Sequence, residues 1–265
     1  MASVSNPMTR DLSAGVSDQP QAPPYLPAAV LLLAQFILMW AAFFILMPSI
    51  NWPASLGEPP SIILPLILQQ AGPVFAGYLS YLLHALILIP LAILLGRTLA
   101  MGRALGNFAV ALGILAGVAK AFGIVRWLFL MPGLAVAYVD PGASGATKAA
   151  IEVVYVSFNA FAGGVGELLG VGLFAGVWTI LVSIALLRLG GGARIIGCAG
   201  FIAAAGLLST LPSVIGVESS ILLTLSGIFW QLWTAALAIW HLRARSVENI
   251  GISSDARAAV RSSRA

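Results

Sequence analysis

The sequence predicts an all-α, polytopic integral membrane protein: a bundle of six transmembrane helices with one further amphipathic helix at the membrane interface. Three observations predict it. Of the 265 residues, 60% are hydrophobic and only 8% charged, whereas a soluble domain carries about 25% charged residues to coat its surface. Six runs are apolar over the roughly 20 residues that a helix needs to cross a hydrocarbon layer about 30 Å thick. The arginines collect in connectors that an even number of crossings places on one side. The same composition excludes disorder, collagen and a disulfide scaffold, since there is no Gly-X-Y period and Cys198 is the single cysteine.

The first span reads from Ala28 to Met47, between Pro27 and Pro48. It is too long for a signal-peptide core and has no small-residue cleavage site behind it, so it is expected to stay in the mature protein. Ser61 to Leu68 is apolar but too short to cross, and Pro65 interrupts it; this segment is expected at the interface. Gln69, Gln70 and Gly72 then turn the chain into the second span, Pro73 to Gly96, where proline suits a first helical turn. The third span is Gly106 to Met131, the fourth Gly163 to Leu187, the fifth Ile195 to Val214 and the sixth Ser219 to His241.

Between the third and fourth spans, Thr147 to Phe161 is amphipathic. Lys148, Glu152, Tyr155 and Asn159 recur at helical spacing on one side, with Ile151, Val154, Phe158 and Phe161 on another. Such a helix rests on a membrane surface. Run unbroken to Leu187 it would make a rod about 60 Å long at 1.5 Å per residue, so a bend is expected at Gly163–Gly164. Gly113 and Gly117, Gly166 and Gly170, and Gly172 and Gly176 repeat a small-xxx-small spacing. That spacing lets backbones approach closely, so spans three and four should pack tightly and bring Lys120 within reach of Glu167. Residues 1–26 are rich in Ser, Pro, Gln and Asp, and residues 242–265 in Arg, Ser and Ala. Neither has a core-forming pattern, so both are expected to be disordered tails around a transmembrane domain of residues 27–241.

Orientation follows from the basic residues. Arg97 and Arg103, then Arg188 and Arg194, then Arg243, Arg245, Arg257, Arg261 and Arg264 fall on one side of the expected topology. Glu58, Asp140, Glu152 and Glu218 fall on the other, with Lys148 as the only base. Cytoplasmic loops carry the excess of Lys and Arg, so both termini are expected in the cytoplasm of a cell whose plasma (inner) membrane holds the protein. The net charge of +4 is thereby a membrane signal, and nucleic acid is not an expected partner, because no binding motif or aromatic interleaving accompanies it.

Charged groups at membrane depth are expensive and mark functional candidates. Lys120 and Arg126 lie on the third span and Glu167 on the fourth; His84 on the second and Gln231 on the sixth are polar in equally apolar runs. Counting from the outer ends, His84 and Lys120 fall about 16 Å deep and Gln231 about 18 Å, with Glu167 and Arg126 within about 8 Å of the outer edge. Four spans thus contribute to one outward-open polar cleft, floored by His84, Lys120 and Gln231, with Tyr78 and Tyr81 on its wall. Each residue also has a structural role open to it. Arg126 can snorkel to headgroups, Glu167 can neutralise Lys120 or Arg126, and His84 and Gln231 can act as interhelical donors.

Several chemistries find no residues to carry them. His84 and His241 sit at different depths and cannot share a haem, and no H-E-x-x-H, Cys/His cluster or paired carboxylates suggest a metal. There is no Walker A sequence and no serine in G-x-S-x-G; Ser144 lies in a Gly-Ala-Ser-Gly-Ala turn with no histidine on its side. Neither a cofactor, a metal nor a catalytic residue is assigned.

From about Pro90 to Leu211 the chain resembles the DUF4386 family of uncharacterised multipass bacterial membrane proteins. The resemblance is carried by Leu95-Gly-Arg97, Gly-Glu-Leu-Leu-Gly-Val-Gly-Leu-Phe at 166–174, Ala-Leu-Leu-Arg188, and Ala193-Arg-Ile-Ile-Gly197. It implies an architecture and a bacterial plasma membrane, and no chemistry. The functional expectation is a non-enzymatic protein that binds or transports a small solute through the cleft, with ligand contacts from Lys120, Glu167, His84, Gln231, Arg126 and Tyr81. The alternatives are a structural or assembly subunit of a membrane complex, and an enzyme acting on a lipid or quinone with Lys120 or His84 as acid–base group.

Overall fold

A computed structural model describes residues 25–215 and 220–262. Most of the expected N-terminal tail, Glu218 and Arg264 lie outside the described residues. Eight helices account for the described chain: α1 Tyr25–Ile50, α2 Pro60–Gln69, α3 Ala71–Thr98, α4 Arg103–Val139, α5 Gly145–Gly163, α6 Gly176–Leu189, α7 Gly191–Leu208 and α8 Ser220–Ser262. Short 3₁₀ turns cover Ala54–Gly57 and Leu211–Ile215, and a π-helical segment, Gly164–Ala175, joins α5 to α6. Among the described residues there is no strand. Five helical stretches among the described residues are long and apolar enough to cross a membrane: Tyr25–Ile50, Ala71–Thr98, Arg103–Val139, Gly145–Leu189 and Gly191–Ile215. The fold is that of a multi-pass membrane protein, because in lipid a spanning backbone must satisfy its own polar groups and a helix does so.

The helices pack in alternating directions. Ser80 of α3 donates to the Leu38 carbonyl of α1 at 2.8 Å, and a Cβ on Gly77 would press into Leu46. Gly113 and Gly117 of α4 face Ala92 and Ile89 of α3, and Gly166 lies against Gly123 with the backbones touching: a Cβ on Gly166 would sit 2.8 Å from the Gly123 Cα. Only glycine on both sides allows that approach. Gly172 and Gly176 turn away from α4 toward Thr210 and Leu208. The small-residue spacings thus serve three different interfaces. At the end holding Arg97 and Arg103, α6 turns into α7 through Gly190 and Gly191 at φ 73° and 52°, a conformation that glycine adopts without steric cost. Arg188, in the last turn of α6, comes to the same basic end.

The amphipathic helix is not a separate surface element. Helical backbone is unbroken from Gly145 to Leu189, and no bend-forming break occurs at Gly163–Gly164, where both residues keep right-handed helical dihedrals. In hydrocarbon a broken turn would leave carbonyls without donors, whereas an i→i+5 turn keeps them bonded. Helix α5 starts at Ser144, whose hydroxyl accepts from the Thr147 amide at 3.1 Å, the usual service of a serine N-cap. It then packs on α4 and α2 and buries Ile151, Tyr155 and Ala162. Tyr138 of α4 donates to Glu152 at 2.7 Å and lies under Lys148 at 5.4 Å. The expected apolar face is buried only at Ile151; Phe158 and Phe161 are 50% and 71% exposed. The segment read as an interfacial stretch forms α2, which buries Ile63, Leu64 and Ile67. Helical backbone in α8 continues beyond His241, where hydropathy ends the sixth span, to Ser262.

Two apolar clusters fill the bundle. One, toward the basic end, joins Leu91, Leu95, Leu112, Trp178, Leu186, Trp230, Trp233 and Leu237. The other, toward the end holding Asp140 and Glu58, joins Leu46, Trp52, Ile63, Tyr78, Trp127, Met131, Ile151 and Tyr155. Along α4 the first ends at Ala116 and the second starts at Ile124; along α3 the second ends at Ala85 and the first starts at Leu88. Lys120 and His84 lie at the seam.

Candidate functional site

The seam is a polar layer built from four helices. The His84 Nδ1 lies 2.9 Å from the Gln35 carbonyl. A carbonyl only accepts, so Nδ1 carries the hydrogen and Nε2 presents a lone pair. The Lys120 Nζ lies 3.0 Å from that Nε2 and donates to it. Gln35 returns the contact, its amide nitrogen 3.4 Å from the His84 carbonyl. The Lys120 Nζ also stands 5.4 Å from the Trp230 ring centre, and His84 meets the same indole edge-on at 6.3 Å. Lys120 is 5% exposed and His84 1%.

Gln231 belongs to the same depth. Tyr25 of α1 meets His241 of α8 at 6.0 Å between ring centres. Ten residues on from Tyr25 is Gln35, and ten back from His241 is Gln231. Both glutamines are buried, and the side-chain oxygen of each has no hydrogen-bond partner.

A second polar group lies nearer the acidic end. Arg126 donates from Nη1 to the Gly123 carbonyl at 2.7 Å, from Nη2 to Glu167 at 3.3 Å and from Nε to Asn159 at 3.1 Å. Asn159 in turn donates to the Leu56 carbonyl at 3.0 Å, tying α5 to the 3₁₀ turn after α1. Tyr78 stacks on Trp127 at 4.9 Å with the rings nearly parallel, and Tyr81 bridges Trp52 at 5.7 Å and His84 at 5.9 Å. Above this group a recess of about 300 Å³ opens between Leu56, Glu58 and Pro60 on one side and Tyr155 and Asn159 on the other.

The structure corrects two expectations. Lys120 does not meet Glu167: the ion pair among the described residues is Arg126–Glu167, with side chains 6% and 37% exposed. The register set by Gly166 on Gly123 puts Glu167 beside Arg126, while Gly170 covers the backbone of Lys120. The cleft is closed. Trp52, Tyr78 and Trp127 are all buried above the seam, because the aromatic side chains of α3, α4 and the turn after α1 fill the space that a depth count leaves empty. Lys120, His84 and Gln231 share the inner layer, Arg126 and Glu167 the outer group, and Tyr81 connects them. Sequence reasoning missed Gln35, the one amide in a 26-residue apolar helix. Its depth, counted as for the others, would have found it. Trp230 was missed because an indole in a hydrophobic run carries no signal.

An all-helical, multi-pass bundle with ionisable groups held inside it defines this as an integral membrane protein. Residues 28–243 match the domain of unknown function DUF4386, and the chain belongs to that family. The match reaches α1 and α8, which the motifs between Pro90 and Leu211 leave out. No curated protein and no solved structure matches the chain.

Proposed function

We propose that this protein crosses a bacterial inner membrane six times and binds a small anionic or hydrogen-bonding solute at the Lys120 layer. Helix α8 supplies the sixth crossing and the basic end faces the cytoplasm, in keeping with the positive-inside rule. One observation carries the reading: a lysine buried between two apolar clusters makes its hydrogen bond to a histidine and no ion pair to a carboxylate among the described residues. An unpaired buried cation is costly, and membrane proteins keep one where a counter-ion or substrate arrives. Lys120 supplies the charge, His84 fixes the ammonium, and Gln231 orients the ligand. On this reading Tyr81 and the Arg126–Glu167 group stand between the layer and the acidic end. The test is thermal stabilisation of the full-length protein in detergent by a panel of small anions. Stabilisation by at least one, lost in Lys120→Gln, is the expected result; no response to any contradicts the reading.

The Arg126–Glu167–Asn159 group favours a different role for its own members, that of fixing helix contacts as in an assembly subunit. Every guanidinium nitrogen already has a protein partner. A charge-reversed Arg126→Glu/Glu167→Arg pair that restores what either single change loses is the expected outcome for such a contact, and a ligand site is not rescued so simply.

A further inference from the structure

We infer that the solute bound at the Lys120 layer is a small organic anion of a single negative charge that also carries a hydrogen-bond donor, the class of the hydroxy- or amido-monocarboxylates. The inference rests on the site proposed above and adds its chemistry. The single charge follows from the cation count. At the seam Lys120 is the one basic side chain among the described residues besides the neutral-tautomer His84. Arg126, six residues along α4, is held by Gly123, Asn159 and Glu167. A dianion would bring one charge more than the layer can answer, and an unanswered charge at this depth is strongly unfavourable.

The donor follows from the amides. The Gln35 side chain cannot simply rotate its oxygen toward a donor, because its nitrogen is committed to the His84 carbonyl. Its oxygen therefore stays an acceptor, and it is buried and unpartnered. The Gln231 oxygen, at the same depth on the facing helix, is also buried and unpartnered. Leaving a buried acceptor without a donor is unfavourable. A ligand hydroxyl or N–H placed between α1 and α8 meets that need while its carboxylate meets Lys120. The apolar remainder of a small molecule faces the Trp230 indole, which already packs edge-on to His84.

The experiment compares propionate, lactate, succinate, chloride and sulfate, by titration calorimetry on the full-length protein in detergent. Lactate and propionate differ by one hydroxyl, so lactate is expected to bind about tenfold or more tighter, the effect of satisfying one buried acceptor. In Gln231→Leu, which leaves the Gln35–His84 contacts in place, the ratio falls toward one while propionate still binds. Gln35→Leu provides a second reading of the same ratio. Equal affinity for lactate and propionate, or tighter binding of succinate or sulfate, overturns the inference and leaves the site standing. Binding of chloride alone does the same. No heat from any of the five overturns the site and the inference together.

Discussion

Helix α4 carries two buried cations six residues apart, and their surroundings differ in every respect that matters for an ionised group. Arg126 has a carboxylate, an amide oxygen and a backbone carbonyl, one for each nitrogen. Lys120 has a histidine nitrogen and an indole face. Around Arg126 every guanidinium nitrogen is bonded and the bonds reach the 3₁₀ turn through Asn159, while the open groups there are the neutral Tyr78, Tyr155 and Ser55 hydroxyls. Around Lys120 the bonds stop short, leaving two amide oxygens open. A polar network that is complete within the protein holds helices together. One that lacks an anion and a donor is what the proposed ligand would complete.

Removing one side of each arrangement breaks or sharpens the contrast. Arg126→Gln takes the counter-charge from Glu167 and donors from Asn159 and Gly123. Breaking a fully buried pair costs about 3–5 kcal/mol; with Glu167 37% exposed, the loss is expected at about 2–4 kcal/mol by detergent or thermal unfolding. Gly166→Ala acts on the contact that sets the register of both groups. Its Cβ would sit 2.8 Å from the Gly123 Cα, where only backbone movement makes room, so about 1–3 kcal/mol is expected to be lost. Because Gly170 and Lys120 share that interface, the anion response should weaken with it. The smallest effect is at Ser144→Ala, which removes the α5 cap for about 1 kcal/mol. It lies far from both groups, so stability should fall slightly while the response to anions is unchanged. A change in that response would join the α5 hairpin to the site.

Much of this fold was legible from the chain. The proline and glycine positions and the apolar runs place both ends of α1, α3 and α7 within two turns, whereas α4 runs on past Met131 to Val139 and the fourth span is part of a helical run that begins at Gly145. The depth of Lys120, His84 and Gln231 came from counting residues along a rigid helix. Rotation about each helix axis did not. Depth alone set Glu167 level with Arg126, but the glycine spacing was read as one interface and drew Glu167 toward Lys120. Gly113 and Gly117 in fact face α3, and Gly166 and Gly170 face α4, a distinction that spacing does not encode. The bend expected at Gly163–Gly164 rests on the length of an unbroken rod to Leu187, about 60 Å at 1.5 Å per residue. In lipid the helix continues as a π segment because its backbone groups have nowhere else to bond.

The difference between the two cations can be measured directly by comparing Lys120→Gln with Arg126→Gln in the same detergent. Glutamine keeps an N–H donor on a shorter side chain, so the first change removes the charge while leaving a polar group directed toward His84. If Lys120 is kept for a ligand, Lys120→Gln unfolds at the same temperature as the parent protein or a higher one, and anions no longer stabilise it, while Arg126→Gln unfolds well below. A fall for Lys120→Gln as large as that for Arg126→Gln would contradict this, and would make both cations parts of the scaffold.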